Sequence, residues 1–260
     1  MGFELGPRAA EAGHRLVVHE SLDSTNSEAL RLARSGEGGP LWIVAREQTA
    51  GRGRRGREWV SAGGNLATSL LVSLPVTPAV AATLGFVASL AVRDACSAQA
   101  QGAVFALKWP NDVLADGAKV AGLLLESEAR AGTLAIVIGI GVNVASAPSG
   151  MPYPAAFLRS FAPGITAGSV FSQLTDAWMG YAGRWDEGHG FDVIRRAWLA
   201  QARGIGQAIS VRTGDWVESG IFETLDEEGR LILRKTDGMI RVISAGDVYF
   251  GDVSQNGAAS

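Results

Sequence analysis

A run of alternating arginine and glycine at residues 51–57 sets the strongest limit on how this chain folds. It reads Gly-Arg-Gly-Arg-Arg-Gly-Arg and is followed closely by Trp59. Four arginines cannot enter an apolar core without partners, and three glycines weaken helix and strand. The run must therefore be a loop. Glycines turn backbone N–H groups toward a ligand and arginines match carboxylates and phosphates, so we predict a mobile loop closing over an anion.

The rest of the chain is mildly acidic, which separates this run from its background. The 260 residues carry a formal net charge of −3, with 47% hydrophobic and 19% charged residues. A general nucleic-acid binder usually has an excess of basic charge over a whole domain, so the composition argues against that class. The length allows one large domain and one small domain.

The cysteine and histidine residues and the hydropathy argue against a disulfide-stabilised protein, a structural zinc site and a membrane protein. The single cysteine, Cys96, cannot form an internal disulfide, and we interpret it as a buried core residue. The apolar segment 79–92 is too short to span a membrane, and we expect a core helix and a cytoplasmic protein. No metal-ligand spacing relates the three histidines, which are His14, His19 and His189.

Periodicity and turn signals predict an α+β domain followed by an all-β domain. The predicted strands of the first domain are 14–20, 41–46, 66–74, 105–109, 113–115, 120–128 and 134–144, and its helices are 25–35, 78–100, 169–184 and 191–202. Beyond Ile209, five closely spaced strands without a helix predict a small β-barrel. The predicted divisions are a loose tail over 1–13, a catalytic domain over 14–206, a barrel over 207–253 and a disordered tail over 254–260.

Short polar side chains occupy residues 23–26, between the first predicted strand and the first helix. Thr25 and Glu28 have the spacing of a capping box, so ordinary helix capping explains them. The alternative is the polar floor of a pocket, formed by Ser24, Thr25 and Asn26 at a free helix N-terminus. The residues alone leave both interpretations open.

The arginine run has the same ambiguity, with Gln48 ahead of it and Trp59 behind it. A solvated basic loop or an RNA contact are the alternatives to a loop that encloses a ligand. An RNA-binding loop usually joins a broader basic surface and several stacking aromatics, and here Trp59 alone is adjacent. We therefore favour enclosure of a ligand.

Two further motifs fall at strand ends. Lys108 ends a short apolar strand, and Pro110 restricts the turn that carries Asn111 and Asp112. This lysine is either a cation fixed in a cleft or one that reaches solvent beside a capped turn. Glycines at 139 and 141 weaken the next strand and indicate close approach of a ligand or backbone just before Asn143. The glycine pair is not a dinucleotide fingerprint, because the third glycine and the following helix are missing.

Taken in order, these segments resemble the biotin–protein ligases over about residues 16–250. The arginine run and the lysine motif about fifty residues later are together specific for that family. The matching segments are Ser24-Thr25-Asn26, Gln48 with the arginine run and Trp59, Gly63-Gly64-Asn65-Leu66, Lys108-Trp109-Pro110-Asn111-Asp112, Lys119-Val120-Ala121-Gly122 and Gly141-Val142-Asn143.

The resemblance implies a fold and an activity. The fold is a catalytic domain like that of class II aminoacyl-tRNA synthetases, with a mixed, mainly antiparallel sheet, followed by an SH3-like barrel. The activity forms biotinyl-5′-adenylate from biotin and ATP with Mg²⁺, and then transfers biotin to a lysine of a biotin carboxyl carrier domain. About twenty residues precede the catalytic pattern, so we expect no DNA-binding domain and no operator binding. A homodimer is a further expectation from the family.

The resemblance also implies a role for each matching residue. Lys108, Arg52 and Arg54 are the expected catalytic residues, because they would contact the reacting carboxylate and the adenylate phosphate. The expected biotin site consists of Ser24, Thr25, Asn26, Gln48, Gly51, Arg52, Gly53, Arg54, Lys108 and Gly122. The expected nucleotide site consists of Arg54, Arg57, Trp59, Asn111 and Asn143, with Trp59 stacking on adenine. Asp112 is a candidate for holding Mg²⁺ or orienting Lys108.

Two alternatives remain at this point. A lipoate–protein ligase or octanoyltransferase resembles this fold and uses a related lysine, but it lacks the arginine–glycine loop in this form. An RNA-binding module that uses the basic loop is an alternative of a different class.

Overall fold

A computed structural model describes residues 2–250 and contains two β-sheets. The strands of the larger sheet are β1 (Arg15–Leu22), β2 (Leu41–Gln48), β3 (Leu66–Leu74), β4 (Phe105–Lys108), β5 (Asp112–Ala115), β6 (Ala118–Arg130) and β7 (Thr133–Val142). Their order in the sheet is β1-β2-β3-β7-β6-β5-β4. Only the β1–β2 pair is parallel in this sheet, which confirms a mixed, mainly antiparallel α+β domain.

Six α-helices accompany this sheet, and they bury its core. They are α1 (Pro7–Glu11), α2 (Thr25–Arg34), α3 (Pro78–Ala82), α4 (Leu84–Gln99), α5 (Ala167–Trp185) and α6 (Phe191–Leu199). The segment Pro78–Gln99 is long and apolar enough to cross a membrane, but 67% of its 18-residue apolar stretch is buried inside the protein. This confirms the predicted core helix. Cys96 is fully buried within it, and burial raises the pKa of its thiol to about 12.

The single helix predicted over 78–100 is in fact two helices that meet at Thr83. The hydroxyl of Thr83 donates to the carbonyl oxygen of Val80 at 2.6 Å and accepts from Trp185 Nε1 at 2.7 Å. A hydroxyl committed to a tertiary partner can interrupt a helix that local propensity would continue. The partner lies 102 residues further along the chain, so the pattern of residues 78–100 alone could not reveal the break.

The N-terminal segment, predicted to be a loose tail, is packed over the part that the structure describes. Pro7 begins α1 at a position that proline favours, and Ala9 is fully buried. The N–H of Gly6 donates to Thr175 Oγ1 on α5 at 2.8 Å. A side chain at residue 6 would overlap Asp176, so glycine is what allows this close approach. The prediction of a tail over 1–13 was therefore wrong for residues 2–13.

The C-terminal residues form a five-stranded antiparallel sheet, as predicted. Its strands are β8 (Ala208–Thr213), β9 (Trp216–Leu225), β10 (Leu231–Arg234), β11 (Ile240–Ile243) and β12 (Asp247–Phe250), in the order β11-β10-β9-β8-β12. Trp109 Nε1 donates to the carbonyl of Gly229 at 3.1 Å, so the lysine motif and this sheet are in direct contact. The resemblance to an SH3 barrel and the boundary at 206 stay predictions, and the tail predicted over 254–260 lies outside the described residues.

Candidate functional site

A cavity of about 390 Å³ lies between the face of β6 and β7, the arginine loop (residues 49–59) and strand β12. Nearly all of the predicted site residues meet there, although they come from four separate segments. The predicted residues that line it are Ser24, Thr25, Asn26, Gln48, Arg52, Gly53, Arg54, Arg57, Trp59, Lys108, Asn111, Asp112 and Gly122. Gly51 and Asn143 do not line it.

One end of the cavity has a polar floor whose groups are already hydrogen-bonded. The backbone N–H of Thr25 donates to Gln48 Oε1 at 2.8 Å, and its hydroxyl lies 3.2 Å from the same oxygen. Ser69 Oγ lies 2.7 Å from Thr25 Oγ1 and 2.6 Å from Asn26 Oδ1. Asn26 Nδ2 donates to Glu126 Oε2 at 2.8 Å. This floor joins α2 to three strands of the sheet.

The predicted capping box at Thr25 and Glu28 was wrong. The N-cap of α2 is Ser24, whose side chain makes no capping bond, and Thr25 is the first helical residue. Glu28 instead pairs with Arg31 at 2.7 Å. Because the hydroxyl and N–H of Thr25 face Gln48, the short polar residues belong to the pocket floor rather than to a cap.

Two glycines of β7 and one of β6 give the cavity its depth. A Cβ at Gly139 would overlap the side chain of Asn26, and one at Gly141 would overlap the indole of Trp59. A Cβ at Gly122 would lie 3.2 Å from Trp59 Cζ3. The glycines do allow a close approach, but side chains of the site approach the strand, whereas the sequence predicted a ligand or backbone.

Trp59 packs over the glycines at one wall of the cavity, and the buried N–H of its indole makes no hydrogen bond among residues 2–250. Lys119 Nζ lies 5.8 Å from the centre of the indole ring. An indole held against glycines and a cation, with an unsatisfied N–H, is suited to exchange these neighbours for a planar ligand.

The arginine loop, predicted from the sequence to be a mobile loop that closes over an anion, is a narrow hairpin in this structure. The N–H of Gly53 donates to the carbonyl of Arg57 at 2.7 Å, and the N–H of Trp59 donates to that of Gly51 at 2.9 Å. A Cβ at Gly51 would overlap the carbonyl of Trp59. Gly51 therefore allows the hairpin to close, and its contribution to the site is indirect.

The four arginines of this loop have different partners. Arg52 Nη2 donates to Glu126 Oε2 at 2.9 Å. Arg55 and Arg57 both pair with Asp247, at 3.1 and 2.9 Å. Arg54 Nη1 donates to Asn111 Oδ1 at 3.0 Å. Among residues 2–250, Arg54 is the arginine of this group without a carboxylate partner, and burial lowers the pKa of its guanidinium.

Lys108 is a fixed cation at the same end of the cavity. It ends β4 opposite Asp112 of β5, and its Nζ lies 5.9 and 5.8 Å from the ring centres of Tyr249 and Phe250. Burial lowers the pKa of Lys108, and the nearby Asp112 carboxylate opposes that change. Because aromatic rings of the C-terminal sheet confine its amino group, this lysine does not simply extend into solvent.

Several contributors to the cavity were missed by sequence reasoning. Lys119 pairs with Asp112 at 2.7 Å and lies 5.3 Å from the ring centre of Tyr153. The Cζ of Arg203 lies 4.6 Å from the ring centre of Phe250. Lys119 stood in a recognised motif and could have been named. Tyr153 lies in a loop, Arg203 in the connection between the domains and Phe250 at the end of β12, and no sequence pattern marks these positions.

Asn143, predicted to bind nucleotide, is instead buried beside the cavity. Its N–H donates to the carbonyl of Val120 at 2.8 Å, and its Nδ2 donates to that of Ala156 at 3.2 Å. The N–H of Leu158 donates to the carbonyl of Asn143 at 2.9 Å. These bonds secure the segment that follows β7, so in this conformation Asn143 supports the cavity wall and does not reach into it.

The acidic side chains of the cavity do not form a metal site. One oxygen of Asp112 pairs with Lys119, and both oxygens of Asp247 pair with arginines. Residues 2–250 contain no group of three or more histidine, cysteine, aspartate or glutamate side chains suited to a metal ion. A Mg²⁺ site built from protein side chains alone therefore does not fit the described residues, where Asp112 and Asp247 are committed to basic side chains.

The arrangement defines an enzyme that brings anions together in an enclosed cleft. A neutral polar floor faces one end, and Arg54 and Lys108 supply positive charge at the other. Cations in a site shielded from water stabilise developing negative charge more strongly than they do in water. The geometry therefore suits activation and transfer of a carboxylic acid.

Comparison with known proteins agrees with this class. The family model "Biotin/lipoate A/B protein ligase family" matches residues 18–143, and "Biotin protein ligase C terminal domain" matches residues 204–251. A biotin--[acetyl-CoA-carboxylase] ligase of Paracoccus denitrificans is 47% identical over 236 residues, covering 88% of this chain and 98% of the relative. One of Mycobacterium tuberculosis is 32% identical over 249 residues, covering 92% and 90%.

A solved structure gives the same result at the level of the fold. The biotin protein ligase of Aquifex aeolicus in complex with biotin and ATP superimposes with a TM-score of 0.74 at 26% identity, covering 90% of this chain and 97% of that one. The chain belongs to the biotin–protein ligase family.

Proposed function

We propose that this ligase joins biotin to ATP as biotinyl-5′-adenylate and then transfers biotin to one lysine of a biotin carboxyl carrier domain. The observation that carries the proposal is the cavity in which Arg54 and Lys108 face a hydrogen-bonded polar floor. The names of similar ligases support it, because they specify acetyl-CoA carboxylase as the acceptor. The Aquifex aeolicus structure holds both biotin and ATP, which are the two substrates proposed here.

The polar floor is proposed to bind the ureido head of biotin. A ureido group offers two N–H donors and one carbonyl acceptor, so it needs a mixed set of partners. Ser24, Thr25, Asn26 and Gln48 supply such a set through hydroxyl and amide groups. The apolar ring system and chain would then lie along Leu124 and Ile140, which also line the cavity.

The basic end of the cavity is proposed to bind the biotin carboxylate and the ATP phosphates. Arg52 and Arg54 would hold these anions, with Gly51 and Gly53 shaping the loop and Gly122 leaving room. Trp59 is proposed to stack on adenine, since its indole lies against glycines of β6 and β7 and close to the Lys119 cation. Arg57 and Asn111 would act on the nucleotide from the cavity wall, and Asn143 would act only by supporting that wall.

The chemistry proceeds in two balanced steps. A carboxylate oxygen of biotin attacks the α-phosphorus of ATP, a P–O bond forms, and the bond to the leaving pyrophosphate breaks. The neutral amine of the acceptor lysine then attacks the acyl carbon, and the C–O bond to AMP breaks as the new amide loses a proton. Lys108 would neutralise the carboxylate in the first step and the acyl oxygen in the second.

Mg²⁺ is proposed to enter as part of MgATP, because two of the cavity carboxylates, Asp112 and Asp247, are already paired with basic side chains. Asp112 would therefore orient Lys108 and Lys119 rather than hold the metal. A cytoplasmic location is proposed from the sequence. A homodimer is also proposed, and the exposed edge strand β1, where Val17 and Val18 are each 39% accessible, supplies a suitable surface.

The direct test is incubation of the full chain with biotin, MgATP and a carboxyl carrier domain, followed by mass analysis. A single biotinyl addition on one lysine is expected, and its absence with an acceptor that a related ligase modifies would contradict the proposal. Lipoate with ATP is the matched comparison for the alternative acyl ligase. A larger rise in melting temperature with lipoate and ATP than with biotin and ATP would favour that alternative.

A further inference from the structure

Asp247 of the C-terminal sheet forms ion pairs with the arginine loop. It begins β12, opposite Arg212 of β8, and its side chain is 20% exposed. Its Oδ2 accepts from Arg55 Nη1 at 3.1 Å, and its Oδ1 accepts from Arg57 Nη2 at 2.9 Å. One carboxylate therefore holds two arginines that are two residues apart in the loop.

Arg55 serves this contact and not the cavity. It is absent from the cavity lining, whereas Arg52, Arg54 and Arg57 belong to it. Its guanidinium also lies within 3.5 Å of the carbonyl oxygen of Arg212, with Nη2 at 3.4 Å. Its backbone has a φ of 58°, in the left-handed region that favours glycine. A non-glycine residue keeps such a conformation where surrounding contacts determine it, and here Asp247 and Arg212 provide them.

The turn at Arg55 fixes the direction of its neighbour. Arg54 points the opposite way, toward the cavity, where Nη1 donates to Asn111 and lies 3.4 Å from the carbonyl of Gly246. The residue that precedes Asp247 therefore contacts Arg54 while Asp247 itself holds Arg55. The two contacts therefore come from adjacent residues, Gly246 just before β12 and Asp247 at its first position.

We propose that Asp247 is a positioning residue that anchors the arginine loop through Arg55 and Arg57 and thereby directs Arg54 into the cavity. The C-terminal domain thus helps to hold the arginine loop closed over the cavity. The identity of the anion held by Arg54 rests on the proposed function, while the anchoring itself does not. An outright catalytic role is not required, because both oxygens of Asp247 are occupied by arginines.

Hydrogen exchange of the full chain without substrates tests the anchor. In Asp247→Asn, amides of a peptide covering residues 49–60 should exchange about tenfold faster than in the wild type, since two charge-assisted contacts are lost. Glu223→Gln is the matched control, because it removes the ion pair to Arg234 in the same sheet away from the loop. It should leave exchange in that peptide unchanged.

A second readout concerns the retained intermediate. After incubation with biotin and MgATP, Asp247→Asn should release adenylate about tenfold faster than the wild type, with biotin affinity in the absence of ATP changed little. Asp247→Glu should recover part of the retention, because the charge is restored. Unchanged loop exchange together with unchanged retention in Asp247→Asn would overturn the proposal.

Arg55→Gln removes the same ion pair from the loop side and replaces the Asp247 variant in the test if that variant fails to fold. It should speed loop exchange, and adding Asp247→Asn to it should have a smaller effect than Asp247→Asn alone. Fully additive effects would overturn the proposal. Failure of the wild type to form adenylate would refute the proposed function while leaving the exchange result to decide the anchor.

Discussion

The two ends of the cleft are built in different ways. The polar floor lies where α2 meets the central sheet, and its groups are joined by short hydrogen bonds among Thr25, Gln48 and Ser69. The basic end is assembled from a loop, a strand end and a second domain. There Arg57 pairs with Asp247 and Lys108 lies beside Tyr249, across long sequence distances. The first end is preorganised by secondary structure, whereas the second depends on ion pairs that a substrate can exchange.

This difference matches the chemistry proposed for each end. A neutral ureido group gains specificity from fixed donors and acceptors, because a misplaced buried polar group costs free energy. Two anions require positive charge that can close around them and later release a product. Substitutions at the two ends should therefore separate binding of biotin from formation and retention of the adenylate.

The largest effect is expected for Lys108→Ala. Removing a cation proposed to face the reacting carboxylate should slow adenylate formation by about 10²–10³-fold. Biotin affinity measured without ATP should fall far less, because the floor is intact. Pyrophosphate release and calorimetry measure the two quantities, and equal losses in both would assign Lys108 to binding alone.

Arg54→Gly should loosen the hold on the intermediate. Loss of a charged hydrogen-bond donor is expected to speed release of biotinyl-adenylate by about tenfold or more, so that lysines of bystander proteins become biotinylated. Release after gel filtration and mass analysis of a mixed protein sample provide the readout. Arg34→Gln, which removes an exposed arginine paired with Glu128, is the matched control and should leave selectivity unchanged.

Asn26→Ala should affect only the polar floor, which is the end proposed to bind biotin. It removes bonds to Leu124 and Glu126 from the floor, and biotin affinity is expected to fall about tenfold. The affinity for ATP alone should change little. Calorimetric titration of each substrate separately provides the measurement, and an equal loss of ATP affinity would show that the two ends are not independent.

The smallest effect is expected in the pH dependence. Burial lowers the pKa of Lys108 below the ordinary value for lysine, so its charged form is lost at a lower pH than that of an exposed lysine. Adenylate formation by the wild type should therefore decline as pH rises through that lowered pKa. Lys108→Arg stays charged over the same range, so the ratio of wild-type to variant rate should fall with increasing pH. A constant ratio would show that deprotonation of Lys108 does not cause the loss of adenylate formation at high pH.

The sequence predicted what depends on local pattern and residue chemistry. The strand β3 was predicted with the bounds observed, because turn-forming residues precede it at 63–65 and Pro75 follows it. The arginine run and Lys108 were recognised because charge at such positions has no role in a core. In contrast, the break at Thr83 and the packing of α1 depend on α5, which lies far along the chain.

The same limit explains the missed residues of the site. Asp247 looks like an ordinary residue after a turn, and only the fold brings it to Arg55 and Arg57. Asn143 stood next to the glycine strand, but its hydrogen bonds are directed at Val120 and Ala156. Sequence pattern predicts which residue types do chemistry, whereas the direction in which each side chain points is set by tertiary contacts.

The separation of the two ends can be tested most directly with two alanine substitutions in one strand. A Cβ at Gly139 would displace Asn26 at the end proposed to bind biotin, and a Cβ at Gly141 would displace Trp59 at the end proposed to bind the nucleotide. Calorimetry of biotin and of ATP should show that Gly139→Ala mainly weakens biotin, whereas Gly141→Ala mainly alters ATP. Equal losses of both substrates in both variants would contradict the account.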